Sequence, residues 1–282
     1  MPQNALTHTN SDSTALDLND GTTYRLIEAR GLYIVPIEHV MVPIPRKVPF
    51  ALLRGVNPQV RSVELDILVY GATLGALMGA VSDLYAHFYA DVFNDDRGTL
   101  TYTGWNGNTV AIKVAPHVPS GVADGTEWCW SSSQSEGATR VTLRLVAPDF
   151  TWYSTSESSN SGSLSGTSPV NISCTNNGDA PAYLRVRVNG QATSVTITDA
   201  YSKTFQFEAT ISAGQYVDCD FDPSALSFTR DNGDDWYNNR SSDSALIRVK
   251  PGTNNITFTG GAGGDNGTLS LTWDDRYSRH PG

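Results

Sequence analysis

Between two strand-like stretches of this chain lies Ser154–Ser168, STSESSNSGSLSGTS, a run almost empty of bulky apolar side chains. Such a run cannot offset the entropy of ordering by burial. The sequence therefore predicts a flexible or loosely packed linker over 154–168, with a separate domain on each side. The stretch before it closes in Val141-Thr-Leu-Arg-Leu-Val-Ala-Pro-Asp-Phe-Thr-Trp-Tyr153, and the stretch after it in Gly267-Thr-Leu-Ser-Leu-Thr-Trp273-Asp-Asp-Arg-Tyr277. Two β domains, each finished by an aromatic-ended strand, is an organisation of assembly proteins more than of enzymes.

A chain of 282 residues is long enough for two hydrophobic cores. Its formal charge of −10 is shared between the halves, with 16 Asp and Glu against 10 Lys and Arg up to Ser163, and 13 against 9 beyond it. This balance argues against a grip on nucleic acid, which needs clustered cations to neutralise phosphates. It permits a surface that DNA slides past. The polar N-terminus has no basic segment followed by an apolar one, so no signal peptide is expected. The apolar-looking Thr73–Phe93 is interrupted by Asp83, His87 and Asp91 and does not read as a membrane span.

Residues 1–20 read as a frayed or extended N-terminal arm. Strands are expected at Tyr24–Arg30 and Gly31–Val35, followed by a proline-punctuated stretch, Pro36 to Pro58, of edge strand or loop. Arg61–Val69 sets Val63, Leu65, Ile67 and Val69 against Ser62, Glu64, Asp66 and Leu68, the pattern of a half-buried strand. Leu74, Leu77, Met78, Val81, Leu84, Tyr85, Phe88 and Val92 recur at helical spacing over Thr73–Phe93, with Thr73 as N-cap. A hairpin is expected from Gly98–Gly104 through a Trp105–Asn108 turn to Thr109–Ala115, and a closing strand over Arg140–Ala147. One helix on a small sheet makes residues 21–153 an α+β domain or a β-sandwich with a covering helix.

Beyond the linker the periodicity is almost wholly two. Strands are expected at 170–176, 184–189, 194–199, 204–211, 216–220, 226–230, 244–249, 254–259 and 268–273, separated by Asn-Gly, Pro-Gly and Asp-Asn-Gly-Asp turns. Residues 169–282 thus read as an antiparallel β-sandwich, and the whole chain as mainly β.

No motif for catalysis stands out: there is no Gly-x-Ser-x-Gly elbow, no phosphate loop and no local metal spacing among His8, His39, His87, His117 and His280. His8 and His280 fall in termini expected to be mobile, and His87 on the helix reads as packed or exposed. Asp218, Asp220 and Asp222, with Asp231, Asp234 and Asp235 on the next turn, form an oxygen-rich group that suits calcium. The same residues also fit a solvated face and an ordinary hairpin turn. Cys174 and Cys219 alternate with apolar neighbours and read as buried thiols, with a Cys174–Cys219 disulfide as the other option; Cys129 joins no motif. Among Trp105, Trp128, Trp130, Trp152, Trp236 and Trp273, the pair Trp236 and Tyr237 after the acidic turn is the best candidate for an exposed ligand-facing site, with sugar stacking as its chemistry. Trp152 and Trp273 read as core or inter-domain packing. No cofactor or metal requirement follows.

Taken in order, these pieces resemble the distal tail protein family of long-tailed, non-contractile phages. The first half matches in the sequence of alternating strand, helix, Gly98-Thr-Leu-Thr-Tyr102, hairpin partner and Leu143–Tyr153 closing strand. The second half matches in Ile172-Ser-Cys-Thr-Asn-Asn-Gly-Asp-Ala-Pro-Ala-Tyr-Leu-Arg-Val-Arg-Val-Asn-Gly190, in Ile211–Asp220, in Phe228–Gly233, in Val249-Lys-Pro-Gly-Thr-Asn-Asn-Ile-Thr-Phe258 and in Trp273–Tyr277. The resemblance implies a ring-forming N-terminal domain, usually hexameric around a lumen, and a galectin-like C-terminal sandwich. Its partners would be further copies of the chain, the tail tube protein, the tail-tip hub protein and a receptor-binding protein. DNA would meet it only in passage, no membrane insertion is implied, and the place would be the virion tail tip after assembly in host cytoplasm. The other reading is a carbohydrate-binding β-sandwich module for host-surface adhesion. The first twenty residues and the length of Pro36–Pro58 have no counterpart in that pattern.

Overall fold

Period-two patterning turns most of the chain into strands, and the single helical pattern into one helix. The computed structural model describes residues 5–32, 37–43, 51–58, 60–94, 96–104, 107–116, 137–149 and 151–278. They form two compact units, Met1–Trp152 with Ser278–Gly282, and Tyr153–Tyr277. Cys129, His117, His280, Trp105, Trp128, Trp130 and the side chain of His39 lie outside the described residues.

The first unit contains β1 (Ala5–Thr9), β2 (Ala15–Asp17), β3 (Tyr24–Arg30), β4 (Ile37–Pro43), β5 (Ala51–Pro58), β6 (Arg61–Gly71), α1 (Leu74–Phe93), β7 (Gly98–Thr103), β8 (Thr109–Pro116) and β9 (Gly137–Ala147). An antiparallel ladder runs β3-β6-β9-β8-β7-β1-β2, and β4 pairs with β5 as a hairpin. The alternation in β6 is realised in full, with Val63, Leu65, Ile67 and Val69 all excluded from solvent. Helix α1 packs on β6, β8 and β9. It begins where Thr73, in an extended conformation, accepts a hydrogen bond from the Ala76 N–H at 3.2 Å, satisfying one of the donors a helix start leaves open.

Three expectations change in this unit. The N-terminal arm is not frayed: Ala5–Thr9 pairs residue for residue with Thr99–Thr103 and turns back into β2. Of the expected strand Gly31–Val35, Gly31 is a bend, with φ of +81° and its Cα so close to β6 that a Cβ would stand 1.9 Å from the Ser62 carbonyl oxygen, and Tyr33–Val35 lie outside the described residues. The helical stripe splits in two. Leu77, Val81, Leu84 and Phe88 enter the core, whereas Leu74, Met78 and Val92 face solvent.

The second unit contains β10 (Trp152–Ser163), whose first residue belongs to the first unit, then β11 (Val170–Asn176), β12 (Ala182–Asn189), β13 (Ala192–Thr193), β14 (Thr196–Thr198) and β15 (Thr204–Gln206). It continues with β16 (Thr210–Ile211), β17 (Tyr216–Asp220), β18 (Ser227–Arg230), β19 (Arg248–Val249), β20 (Gly252–Thr259) and β21 (Thr268–Tyr277). One sheet runs β18-β17-β12-β21-β10 and the other β11-β20-β14-β15. The apolar ladder of the first sheet is explicit in its register: Leu184 faces Trp273, Val186 faces Leu271 and Cys219, and Val188 faces Leu269 and Val217. Against it pack Ile172, Cys174, Ile197, Phe205, Ile256 and Phe258, closing a sandwich core in which Phe205 stacks on Phe228 with centroids 5.0 Å apart.

Two differences stand out here as well. Most of the expected linker is strand β10, whose backbone pairs with β21. The expected strand Thr204–Ile211 breaks in two at Phe207, because β15 pairs with β14 and β16 with β13, while Phe207 donates its N–H to the Val195 carbonyl at 3.0 Å.

Candidate functional site

Trp236 and Tyr237 do not form one exposed platform. Trp236 is only 8% exposed and belongs to the sandwich core, its ring against Phe207 at 6.1 Å. Its backbone N–H donates to the Phe228 carbonyl at 2.7 Å, so the acidic turn returns the chain onto β18 and draws the indole inward. Tyr237 is 40% exposed, but the Arg240 guanidinium lies 4.2 Å over its ring and donates to its hydroxyl at 2.8 Å. What is left for a ligand is one edge of one tyrosine.

The acidic residues are likewise engaged. Asp218 receives two hydrogen bonds from Arg187, at 2.6 and 2.7 Å, and Asp222 pairs with Arg276. Asp220 accepts from the Asp222 N–H at 2.9 Å, and burial raises its carboxyl above the usual range. On the turn, Asp231 pairs with Arg230 at 3.3 Å, Asp234 accepts from the Asn232 amide, and Asp235 accepts from the Tyr237 N–H. Among the described residues no three His, Cys, Asp or Glu side chains converge as a metal-holding group. The outer face of the β18-β17-β12-β21-β10 sheet carries a groove lined by Glu157, Arg185, Arg187, Asp218 and Thr272. Arg185 bridges Glu157 at 2.6 Å and Asp274 at 3.0 Å, and Arg187 lies 4.2 Å over the Tyr216 ring. This face is a self-compensated ladder of opposite charges.

Both described cysteines are buried free thiols. Burial pushes the Cys174 thiol up to about 12, and burial with the charges of Asp218 and Asp220 pushes Cys219 upward as well. Neither is poised for thiolate chemistry. Trp152 and Trp273 are core residues of their own units, their indole N–H groups donating at 3.0 Å to the Leu32 and Thr175 carbonyls.

Sequence reasoning missed three features, all in the first unit. Arg61 is fully buried, and its guanidinium donates to the carbonyls of Gly31, Leu32 and Ser278 while lying 5.9 Å from the Trp152 ring. His8, expected at a mobile end, is also fully buried, with His87 and Asp91 of α1 against it. The third feature is the outer face of α1. Leu74, Met78, Tyr89 and Phe93 are 51%, 50%, 38% and 84% exposed, and Tyr85, Tyr89 and Phe93 form a file of rings with centroids 6.4 and 6.1 Å apart. Spacings of four, seven, four and four residues place all five side chains on one side of the helix, where all but the half-buried Tyr85 are well exposed. The apolar period was legible, but it does not say which of two apolar stripes the fold buries.

Among the described residues an antiparallel sheet unit with one α-helix is followed by an antiparallel sandwich, an architecture shared with solved phage tail and baseplate structures. The SPP1 Dit protein, described as a paradigm of the hub adsorption apparatus in phages infecting Gram-positive bacteria, is similar over 97% of this chain and 99% of its own, with a TM-score of 0.69 at 16% identity. A chain of the phage P2 baseplate in its activated conformation with calcium is similar over 96% of this chain and 98% of its own, with a TM-score of 0.51 at 9% identity. No protein-family model and no curated protein matches the sequence.

Proposed function

We propose that this chain is a structural component of a phage tail tip, a distal tail protein whose copies form a ring between the tail tube and the tail-tip hub. The observation that carries the reading is the likeness of fold across nearly the whole of both chains to SPP1 Dit, a hub protein. The exposed apolar face of α1 supports self-assembly, since a file of exposed aromatic side chains is costly in water unless a neighbouring copy covers it. In this reading the subunits meet mainly through the first unit, and six is the expected number of copies. The excess of acidic residues suits a lumen through which DNA passes without adsorbing. No helix among the described residues is long and apolar enough to cross a membrane. Tail tube, hub and receptor-binding proteins are the neighbours expected in the virion, with assembly before release in the host cytoplasm.

The test is the solution mass of the full chain by light scattering, with negative-stain images of the same peak. The expected result is a six-fold ring with a central opening. A chain that stays near 30.4 kDa at every concentration and is retained on glycan columns through Tyr237 would overturn the ring and make it an adhesion module.

A further inference from the structure

His8 occupies a position in β1 whose strand neighbours carry no charge. Along the sheet its register partners are Leu100 of β7 and Leu16 of β2. Below it sits Gly98, so close that a Cβ there would stand 2.2 Å from the His8 Nε2 and 2.4 Å from the Asp91 Oδ2. Above it, Phe88 stacks at 4.2 Å between centroids. The titratable groups that face it are His87 and Asp91, both from α1. His8 Nδ1 lies 3.0 Å from His87 Nε2, and the same His87 nitrogen lies 3.1 Å from the His8 carbonyl oxygen. His8 Nε2 faces Asp91 Oδ2 at 3.3 Å without the alignment of a hydrogen bond, and neither atom has another partner. Asp91 also accepts from the Ser11 N–H at 2.6 Å, while Asn94 at the helix end donates to Ser11 and Asp12.

The hydrogens follow from the partners. A carbonyl oxygen only accepts, so His87 must carry a proton on Nε2 and share it between the His8 oxygen and the His8 Nδ1. His8 Nδ1 is then an acceptor, and its single proton sits on Nε2, toward Asp91. A second proton on His8 would have to occupy Nδ1 and point at the N–H of His87. Protonating His8 therefore forces His87 into its other tautomer and gives up the bond to the His8 carbonyl.

We propose that the His8–His87–Asp91 cluster is an acid-releasable latch, which holds the N-terminal segment β1–β2 on α1 and β7 at neutral pH and frees it in mild acid. Once β1 leaves, the edge of β7, Gly98–Thr103, is uncovered and its backbone groups become available to another strand. Burial, with the charge of His87, holds His8 down at about 3, and burial lowers His87 too, whereas in the released segment His8 returns to its ordinary 6.5. Attachment is then complete above about pH 6.5 and weakens as pH falls. Between pH 7 and pH 5 the released fraction rises roughly 25-fold for His8 alone. Asp91, raised by burial, acts with the opposite sign and works against the two histidines as pH falls.

Hydrogen exchange of the full chain tests this, with amides of β1 read against those of β8 and the rates corrected for the intrinsic effect of pH. From pH 7 to 5 the β1 amides should lose protection by about 25-fold or more, while those of β8 hold theirs. His8→Gln should flatten that response, and His87→Gln should reduce it if the first variant does not fold. Equal β1 protection at both pH values would overturn the latch. So would joint loss in β1 and β8, or an unchanged response in the variants.

Discussion

The two units resolve the same problem, burying an antiparallel sheet, with different uses of their buried polar groups. The second unit closes an apolar cluster, and several of its buried polar side chains, such as Asn176, Asp199 and Asp265, bind the backbone of adjoining turns, while Arg187–Asp218 and Arg185–Asp274 pair on its outer face. The first unit buries charge and ring nitrogen: Arg61 among three carbonyls, Asp66 under Arg140 and Thr142, and His8 against His87 and Asp91. It also leaves outside an apolar file that the second unit would have buried. The proposed assembly through the first unit and the proposed acid response both rest on this contrast, the exposed rings for the one and the buried histidine for the other.

The sharpest way to break this comparison is to remove one element from each core. Phe205→Ala takes a stacked ring from the second unit and should cost that unit about 3–5 kcal/mol. Arg61→Ala removes a donor from the Gly31 and Leu32 carbonyls, of which Leu32 keeps the Trp152 N–H, and should cost the first unit about 2–4 kcal/mol. In calorimetry each should lower one unfolding transition and spare the other; if both substitutions shift both transitions equally, the two units are not separate in energy.

Acid comes next in size. A histidine held low in the folded state contributes stability that is whole above its free value of 6.5 and is lost as pH falls. At pH 5 the loss from His8 is about 2 kcal/mol. It should appear as destabilisation of the first unit alone, and His8→Gln should remove it.

Phe93→Ser should move folding stability by no more than about 0.5 kcal/mol, because the ring is already in water. The same change should raise the concentration at which copies associate, measured by sedimentation. Smallest of all, Asp218→Asn breaks a half-exposed ion pair and should cost less than about 1 kcal/mol, fading in high salt. Denaturant titration at two salt concentrations reads it.

Much of the fold was legible in the sequence. The β6 alternation, the Thr73 cap and strands such as Val170–Asn176 and Tyr216–Asp220 follow from local periodicity, because in them the buried face is apolar. β1 was hidden for a physical reason. Its inward positions are Leu6, His8 and, just past the strand, Asn10, so the period of two is present but spelled mostly in polar residues. β10 was hidden by the reverse: most of it is exposed, it holds its place by backbone pairing, and Ser and Thr there have no inward pattern to show. Trp236 was misplaced because a turn rich in Asp says nothing about which way the next residue points. The His8 cluster joins residues about eighty positions apart, a pairing no local spacing announces.

The two sealed sulfurs of the sandwich give this chain an internal clock. Cys174 and Cys219 sit in opposite sheets, and a thiol reagent can reach neither until the sheets part. The rate at which each is labelled therefore measures how often its own sheet opens, on the native protein and without denaturant. Labelling both at one rate would mark the sandwich as a single cooperative body. Two rates would order its sheets in time and show which layer yields first.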